Sequence, residues 1–187
     1  MVPVKGKNMF VKVCGLVDPI QIDKAIEYGY NAIGVVAYHK SIRYCSPEKA
    51  IKLAEYARGK IDSFVVGIHY SDVEAAADAF DYVQIYERRQ LANLVFASHE
   101  KPPKDLNCSY FMYDTSVGSG EFKTFPTWLK DVAGRLIVAG GLDKDNVCNV
   151  IRKIKPFGVD VSSGVEKDGA KNFELMQDFI GAVRNCS

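Results

Sequence analysis

Short apolar runs alternate with amphipathic stretches along nearly the whole chain. Phe10-Val11-Lys12-Val13-Cys14 reads as a strand. Asp18-Pro19 then opens a helix, with Asp as N-cap and Pro at the first helical position. Ala32 to Ala37 is almost wholly apolar, as a strand buried on both faces should be. Ser46-Pro47 starts the next helix by the same device, and Ala50, Leu53, Ala54 and Ala57 share one face of it. Phe64 to Ile68 is a third strand. Ser71-Asp72-Val73-Glu74 has the form of a capping box that opens a third helix. Further strands follow at Tyr82–Ile85, Leu94–Ala97, Tyr110–Tyr113 and Leu136–Ala139. Asp143 opens a helix with Val147, Val150, Ile151 and Ile154 on one face. Gly158–Val161 is an eighth strand. The last helix, about Asn172 to Val183, turns Met176, Ile180 and Val183 to one side.

Strands that alternate with helices pair in parallel, because parallel neighbours need crossovers. Eight such units predict a closed α/β barrel, the (β/α)8 TIM barrel. Its 187 residues make it compact, since such barrels usually run to about 250. Some helices must therefore be short. Arg88 to Ala92 has room for about one turn, and Lys101-Pro102-Pro103 leaves almost none, so helices 4 and 5 are expected to be shortened or missing. An open doubly wound sheet with fewer strands is the alternative. Nothing resembling a linker divides the chain, so residues 1–187 read as one domain.

Composition narrows the function. Lys and Arg number 24 against 23 Asp and Glu, a net charge of +1. That balance offers no grip on nucleic acid or on an anionic membrane, so a bound anion must be held locally. No apolar run approaches the roughly 20 residues that span a bilayer, and no signal-peptide core is visible, so a cytoplasmic address is expected. Cys14, Cys45, Cys108, Cys148 and Cys186 are scattered and form no CxxC pair. They are expected to be free thiols. His39, His69 and His99 show no metal-ligand spacing.

The active site of a barrel lies at the C-terminal ends of its strands. Gly140-Gly141 follows the seventh strand. The eighth runs through Asp160 into Ser162-Ser163-Gly164. Loops there commonly cradle phosphate, with glycines admitting a close backbone approach, although plain turn glycines would look the same. Cys14 and Asp114 end the first and sixth strands and face each other across the mouth. A thiol and a carboxyl so placed suit general base and general acid work; an inert buried cysteine and a capping carboxylate are the bland alternatives. Arg43, after the second strand, is suited to a carboxylate, or is simply solvated. Gln84 sits near the end of the fourth strand. Gly118-Ser119-Gly120 reads as a flexible loop at the site.

Five ordered segments together resemble the phosphoribosylanthranilate isomerase family, the (β/α)8 enzymes of tryptophan biosynthesis. They are Val11-Lys12-Val13-Cys14-Gly15-Leu16; Ser41-Ile42-Arg43-Tyr44 with Ser46-Pro47; Val83-Gln84; Ala139-Gly140-Gly141-Leu142 with Asn146-Val147; and Val159 to Glu166 with Gly169 and Lys171. The resemblance implies an Amadori rearrangement of N-(5-phosphoribosyl)anthranilate to the carboxyphenylamino-deoxyribulose phosphate, without cofactor or metal. It implies Cys14 as general base, Asp114 as general acid and Arg43 as partner of the anthranilate carboxylate. The glycines and serines after strands seven and eight match its phosphate cradle, and Gln84 and Asp160 fall in its substrate-binding segments. The expected partner is a small sugar-phosphate substrate, and monomer and homodimer are both open.

The chemistry asks the fold for a protonated carboxyl and a deprotonated thiol. A free carboxyl titrates near about 4 and a free thiol near about 8.5. Where the family has Leu-His-Gly, this chain has Ile85-Tyr86-Glu87, and the stretch from Glu87 to Cys108 is short and matches poorly. The first departure bears on substrate contacts and the second on barrel closure. The rivals are another sugar-phosphate isomerase or epimerase, which would carry an acidic residue in place of Cys14, and a phosphate-binding barrel, which would need neither Cys14 nor Asp114.

Overall fold

The computed structural model describes residues 9–114 and 125–186. The expected loop Gly118-Ser119-Gly120 lies outside them. Eight parallel strands close on themselves in sequence order: β1 (Phe10–Cys14), β2 (Ala32–Val36), β3 (Asp62–Val66), β4 (Tyr82–Ile85), β5 (Leu94–Ser98), β6 (Tyr110–Asp114), β7 (Leu136–Ala139) and β8 (Gly158–Val161). The helices are α1 (Pro19–Tyr28), α2 (Pro47–Ala57), the single turn α3 (Tyr70–Val73), α4 (Val147–Ile154) and α5 (Phe173–Arg184). Between β8 and α5 lies a small antiparallel hairpin of β9 (Glu166–Lys167) and β10 (Ala170–Lys171).

The barrel strands are largely apolar on both sides because each side has its own core; the inward polar exceptions Lys12, Gln84, Asp114 and Asp160 lie from mid-strand towards the C-terminal ends. Residues such as Val11, Val13, Ile33, Val35, Val65 and Phe111 point outward into the layer shared with the helices. Their alternates Ala32, Phe64, Val95, Ala97, Met112, Ile137 and Ala139 fill the barrel, as the two-residue period of a strand requires. Phe10, Tyr110 and Phe157 stack at 5.1–5.8 Å between ring centroids across the N-terminal end of this interior.

The caps on α1 and α2 are as expected. Asp18 accepts from the Ile20 N–H at 2.9 Å, and Ser46 stands at the N-cap of α2 with Pro47 behind it. No helix separates β4 from β5 or β5 from β6, which agrees with the shortening anticipated there. Four expectations need correction. β3 begins at Asp62 and ends at Val66, because Gly67 and Ile68 already turn towards α3. The third helix is a single turn followed by a 3-10 turn at Ala77–Ala79. Asp72 accepts from the backbone of Ile68 and His69 at 2.9 and 2.8 Å, so it sits inside the helix start and not at a later box. Asp143 caps a turn, accepting from Asp145 and Asn146 N–H, and α4 proper begins at Val147. Finally, Cys148 and Cys186 are disulfide-bonded, their Cα atoms 5.2 Å apart, because α4 and the end of α5 pack side by side. Cys14, Cys45 and Cys108 are free and buried.

Candidate active site

The C-terminal ends of the strands surround a cavity of about 270 Å³. Cys14, Arg43, Gln84, Asp114, Gly140, Gly141, Asp160, Ser162 and Ser163 all line it. Gly164 does not. A Cβ on Gly164 would run into the Leu142 carbonyl oxygen, so this glycine lets the loop after β8 lie directly on the loop after β7. A larger cleft of about 680 Å³ opens at the opposite end of the barrel, beside Phe10, Asp62 and Tyr110, and gathers none of the sequence-predicted residues.

Strand register explains the convergence. In the β1–β8 pairing that closes the barrel, Lys12 stands opposite Asp160. In the β1–β2 pairing, Cys14 stands opposite Gly34. Asp114 and Gln84 end the inward-facing rows of β6 and β4. Arg43 comes from a loop tied back to β2 by the Cys45 N–H on the Val36 carbonyl at 2.8 Å. The Ser41 hydroxyl also accepts from the Arg43 N–H at 3.1 Å. The Arg43 side chain crosses over Gly15, where any Cβ would collide with its Cδ; Gly15 also holds φ at +82°, a conformation that suits glycine.

Four polar residues that fall in the quoted segments but were not among the expected site residues complete the site. Glu166 takes the Arg43 fork on both oxygens, Nε at 2.7 Å and Nη2 at 2.5 Å, and also accepts from Lys171 Nζ at 2.5 Å. Lys171 donates in addition to the Ser162 carbonyl at 3.0 Å. The hairpin makes this possible: Asp168 and Gly169, with φ of +54° and +80°, form the tight turn that sets Lys171 opposite Glu166. That Asp-Gly pair was the available signal. The third is Lys12, fully buried, whose Nζ donates to Asp160 at 2.8 Å. The fourth is Tyr86, in the segment that departs from the family pattern, whose hydroxyl donates to Asp114 Oδ2.

The electrostatics follow from burial and these pairings. Burial alone would raise the Glu166 carboxyl, but Arg43 and Lys171 hold it below the usual carboxylate range. Burial lowers Lys171. It works against charge on Lys12 too, yet Asp160 and Cys14 keep that ammonium above its ordinary value. Burial pushes the Cys14 thiol up, and Lys12 is the first of its neighbours to pull it back. Burial and then Asp114 push the Tyr86 phenol far above its usual range, so it remains a donor. Two cations, Arg43 and Lys171, share one carboxylate at Glu166. The Gln84 Oε1 atom is buried without a hydrogen-bond partner, as a group awaiting a ligand would be. Among the described residues, no group of His, Cys, Asp and Glu is arranged to hold a metal, and no helix is long and apolar enough to cross a membrane.

Comparison with known proteins agrees with this geometry. The family model described as N-(5'phosphoribosyl)anthranilate (PRA) isomerase matches residues 11–182. N-(5'-phosphoribosyl)anthranilate isomerase from Listeria welshimeri is 34% identical over 203 residues, 94% of this chain and 98% of that one. The protein of the same name from a Streptococcus pneumoniae strain is 34% identical over 193 residues, 94% and 96% of the two chains. The crystal structure of TrpF from Jonesia denitrificans superposes with a TM-score of 0.78 at 28% identity, covering 95% of this chain and 98% of that one. A barrel closed in the family's order, with its ordered motifs meeting at one mouth and relatives matched almost end to end, places this chain in the N-(5'-phosphoribosyl)anthranilate isomerase family.

Proposed function

We propose that the chain catalyses the Amadori rearrangement of N-(5'-phosphoribosyl)anthranilate to 1-(o-carboxyphenylamino)-1-deoxyribulose 5-phosphate, a step of tryptophan biosynthesis, with Cys14 as general base and Asp114 as general acid. One observation carries the reading. Cys14 on β1 and Asp114 on β6 line the same small cavity as Arg43 and the two glycine- and serine-bearing loops.

The substrate has a phosphate at one end and an aromatic carboxylate at the other. The loops after β7 and β8 suit the phosphate: Gly140 and Gly141, with φ of +87° and +65°, let backbone come close to an anion. Arg43 suits the carboxylate. Glu166 holds its Nε and Nη2, which leaves Nη1 as the donor not committed to Glu166. Gln84 Oε1 is placed to accept a hydrogen bond from a hydroxyl or N–H between these ends. Protonated Asp114 gives its proton to the ribose ring oxygen as the C1–O bond breaks and the Schiff base forms. The Cys14 thiolate then takes the proton from C2. The electron pair left at C2 forms the C1=C2 bond of the enolamine, which tautomerises to the ketone.

The test uses freshly generated substrate and follows the loss of its anthranilate fluorescence. Wild type is expected to turn over. Cys14→Ala and Asp114→Asn are each expected to lose roughly 100-fold or more. A folded wild type that binds substrate and leaves the fluorescence unchanged refutes the isomerase reading.

A further inference from the structure

The interior of the barrel is filled by residues such as Phe64, Val95, Met112 and Ile137, with one full-length cation among them. Lys12 has no exposed surface. Its ammonium lies 5.3 Å from the centre of the Phe64 ring and holds Asp160 at 2.8 Å. A buried ion pair is a poor stabilising device, since apolar residues of similar volume often serve as well or better. Its presence in a largely apolar interior asks for a chemical reason. Gly34 supplies the clue. A Cβ at that position would stand 2.8 Å from Cys14 Sγ, 3.0 Å from Lys12 Nζ and 3.2 Å from Lys12 Cε. The bare glycine backbone leaves room there for both the thiol and the ammonium.

We propose that Lys12, anchored by Asp160, is the positioning residue that favours the thiolate form of Cys14 for proton abstraction, and that Gly34 is glycine to leave room for both side chains. The inference rests on the isomerase reading for the identity of the proton. In that step the thiolate becomes a thiol as it takes the C2 proton. The pair of electrons from the C2–H bond enters C1=C2, and the former C=N pair moves onto the nitrogen. Lys12 keeps all its protons and only stabilises the charge on sulfur before transfer.

The charged and titratable groups around Cys14 come from several elements. Lys12 lies on its own strand, Asp160 on β8, Lys171 on β10, Arg43 on the loop after β2 and Tyr86 after β4. Arg43 and Lys171 are committed to Glu166. Asp160 acts against the thiolate, and its carboxylate is paired with the Lys12 ammonium at 2.8 Å. Burial pushes the thiol up, and Lys12 is the strongest opposing influence.

The experiment measures the rate of Cys14 alkylation by iodoacetamide against pH, read on the Cys14 peptide by mass spectrometry, in the full ligand-free chain. It compares wild type, Lys12→Met and Gly34→Ala, with circular dichroism to confirm folding. In Lys12→Met the inflection is expected at higher pH and the neutral-pH rate roughly 10-fold lower or more, since an opposite charge within about 4–6 Å moves a pKa by about 1–3 units. Gly34→Ala keeps both charged residues and wedges the ammonium off the sulfur, so its inflection is expected to move the same way by less. Turnover in both variants should lose kcat with KM nearly unchanged. A folded Lys12→Met chain with the wild-type inflection overturns the proposal. If that variant does not fold, an unmoved inflection in Gly34→Ala overturns it. Alkylation needs no turnover, so shifted inflections with an inactive wild type would support the activated thiol and refute only the isomerase reading.

Discussion

Replacing Gly164 by Ala adds one methyl group where two active-site loops touch. The new Cβ would run into the Leu142 carbonyl oxygen and stand 2.9 Å from the Leu142 carbonyl carbon and 3.1 Å from Asp143 Cα. All three are backbone atoms, so no side chain can swing aside. The loop after β8 must lift off the loop after β7. Overpacking of this kind costs about 1–3 kcal/mol. For a chain of this length each kcal/mol moves Tm by roughly 2–4 °C. Gly164→Ala is therefore expected to lower Tm by roughly 2–12 °C. The same displacement parts the walls of the proposed phosphate cradle, so KM should rise more than kcat falls. Gly181→Ala is the control. It lies inside α5 with nothing within 4 Å of the added atom, and the gain in helix propensity should stabilise the chain by about 0.5–1 kcal/mol. Thermal unfolding followed by circular dichroism, with substrate titrations on each variant, reads both effects. A Gly164→Ala chain with wild-type Tm and KM refutes the argument from loop contact.

Three further outcomes follow from particular contacts. Tyr86→Phe removes the hydroxyl that donates to Asp114; once Asp114 has given up its proton that bond goes to a carboxylate, a hydrogen bond to a charged group is worth about 1.5–3 kcal/mol, so kcat should fall roughly 10- to 100-fold, and an unchanged kcat in the fluorescence assay rules out a role in the reaction. Burial alone would raise Glu166, but Arg43 and Lys171 depress it; its contribution to stability is thus present above the unfolded value and lost as pH falls through the lower folded one. Glu166→Gln should accordingly flatten the acid side of a Tm–pH curve, and an identical slope in the two proteins contradicts the pairing. Thiol titration of the denatured chain should find three reactive groups without reductant and five after reduction, because Cys148 and Cys186 are bonded; five groups without reductant would exclude the bridge.

What could be read from the sequence was what local physics controls. Asp18-Pro19 and Ser46-Pro47 announce α1 and α2 because an N-cap needs only its own next few N–H groups. The strands are visible because both of their faces are buried, which leaves few polar interruptions. The missing helices between β4 and β6 follow from counting residues against the reach of a crossover. The third helix was overestimated because Asp72 can cap from within a turn as well as from its start, and the sequence does not say which backbone N–H groups it will take. The disulfide joins positions 38 apart, and neither cysteine has a neighbouring motif to mark it.

The polar contacts at the mouth escaped for a more general reason. Lys12 sits in Phe-Val-Lys-Val-Cys, where a lone lysine in an apolar strand looks like a residue that faces water. Its partner is 148 positions away and becomes its neighbour only when β8 closes against β1. Glu166 likewise meets Arg43 across 123 positions. Neither pair leaves a local trace, yet together they determine where charge sits around the cavity. Glu166 ties down two cations at the rim, Arg43 and Lys171, and so fixes the place of the Arg43 fork beside the cavity. Asp160 neutralises Lys12 in the interior, where an unpaired ammonium would be costly. A near-neutral protein can therefore hold a substrate with two acidic ends because barrel closure brings Arg43 and the glycine-bearing loops after β7 and β8 to one cavity, where a cation and backbone N–H groups serve in place of a basic surface.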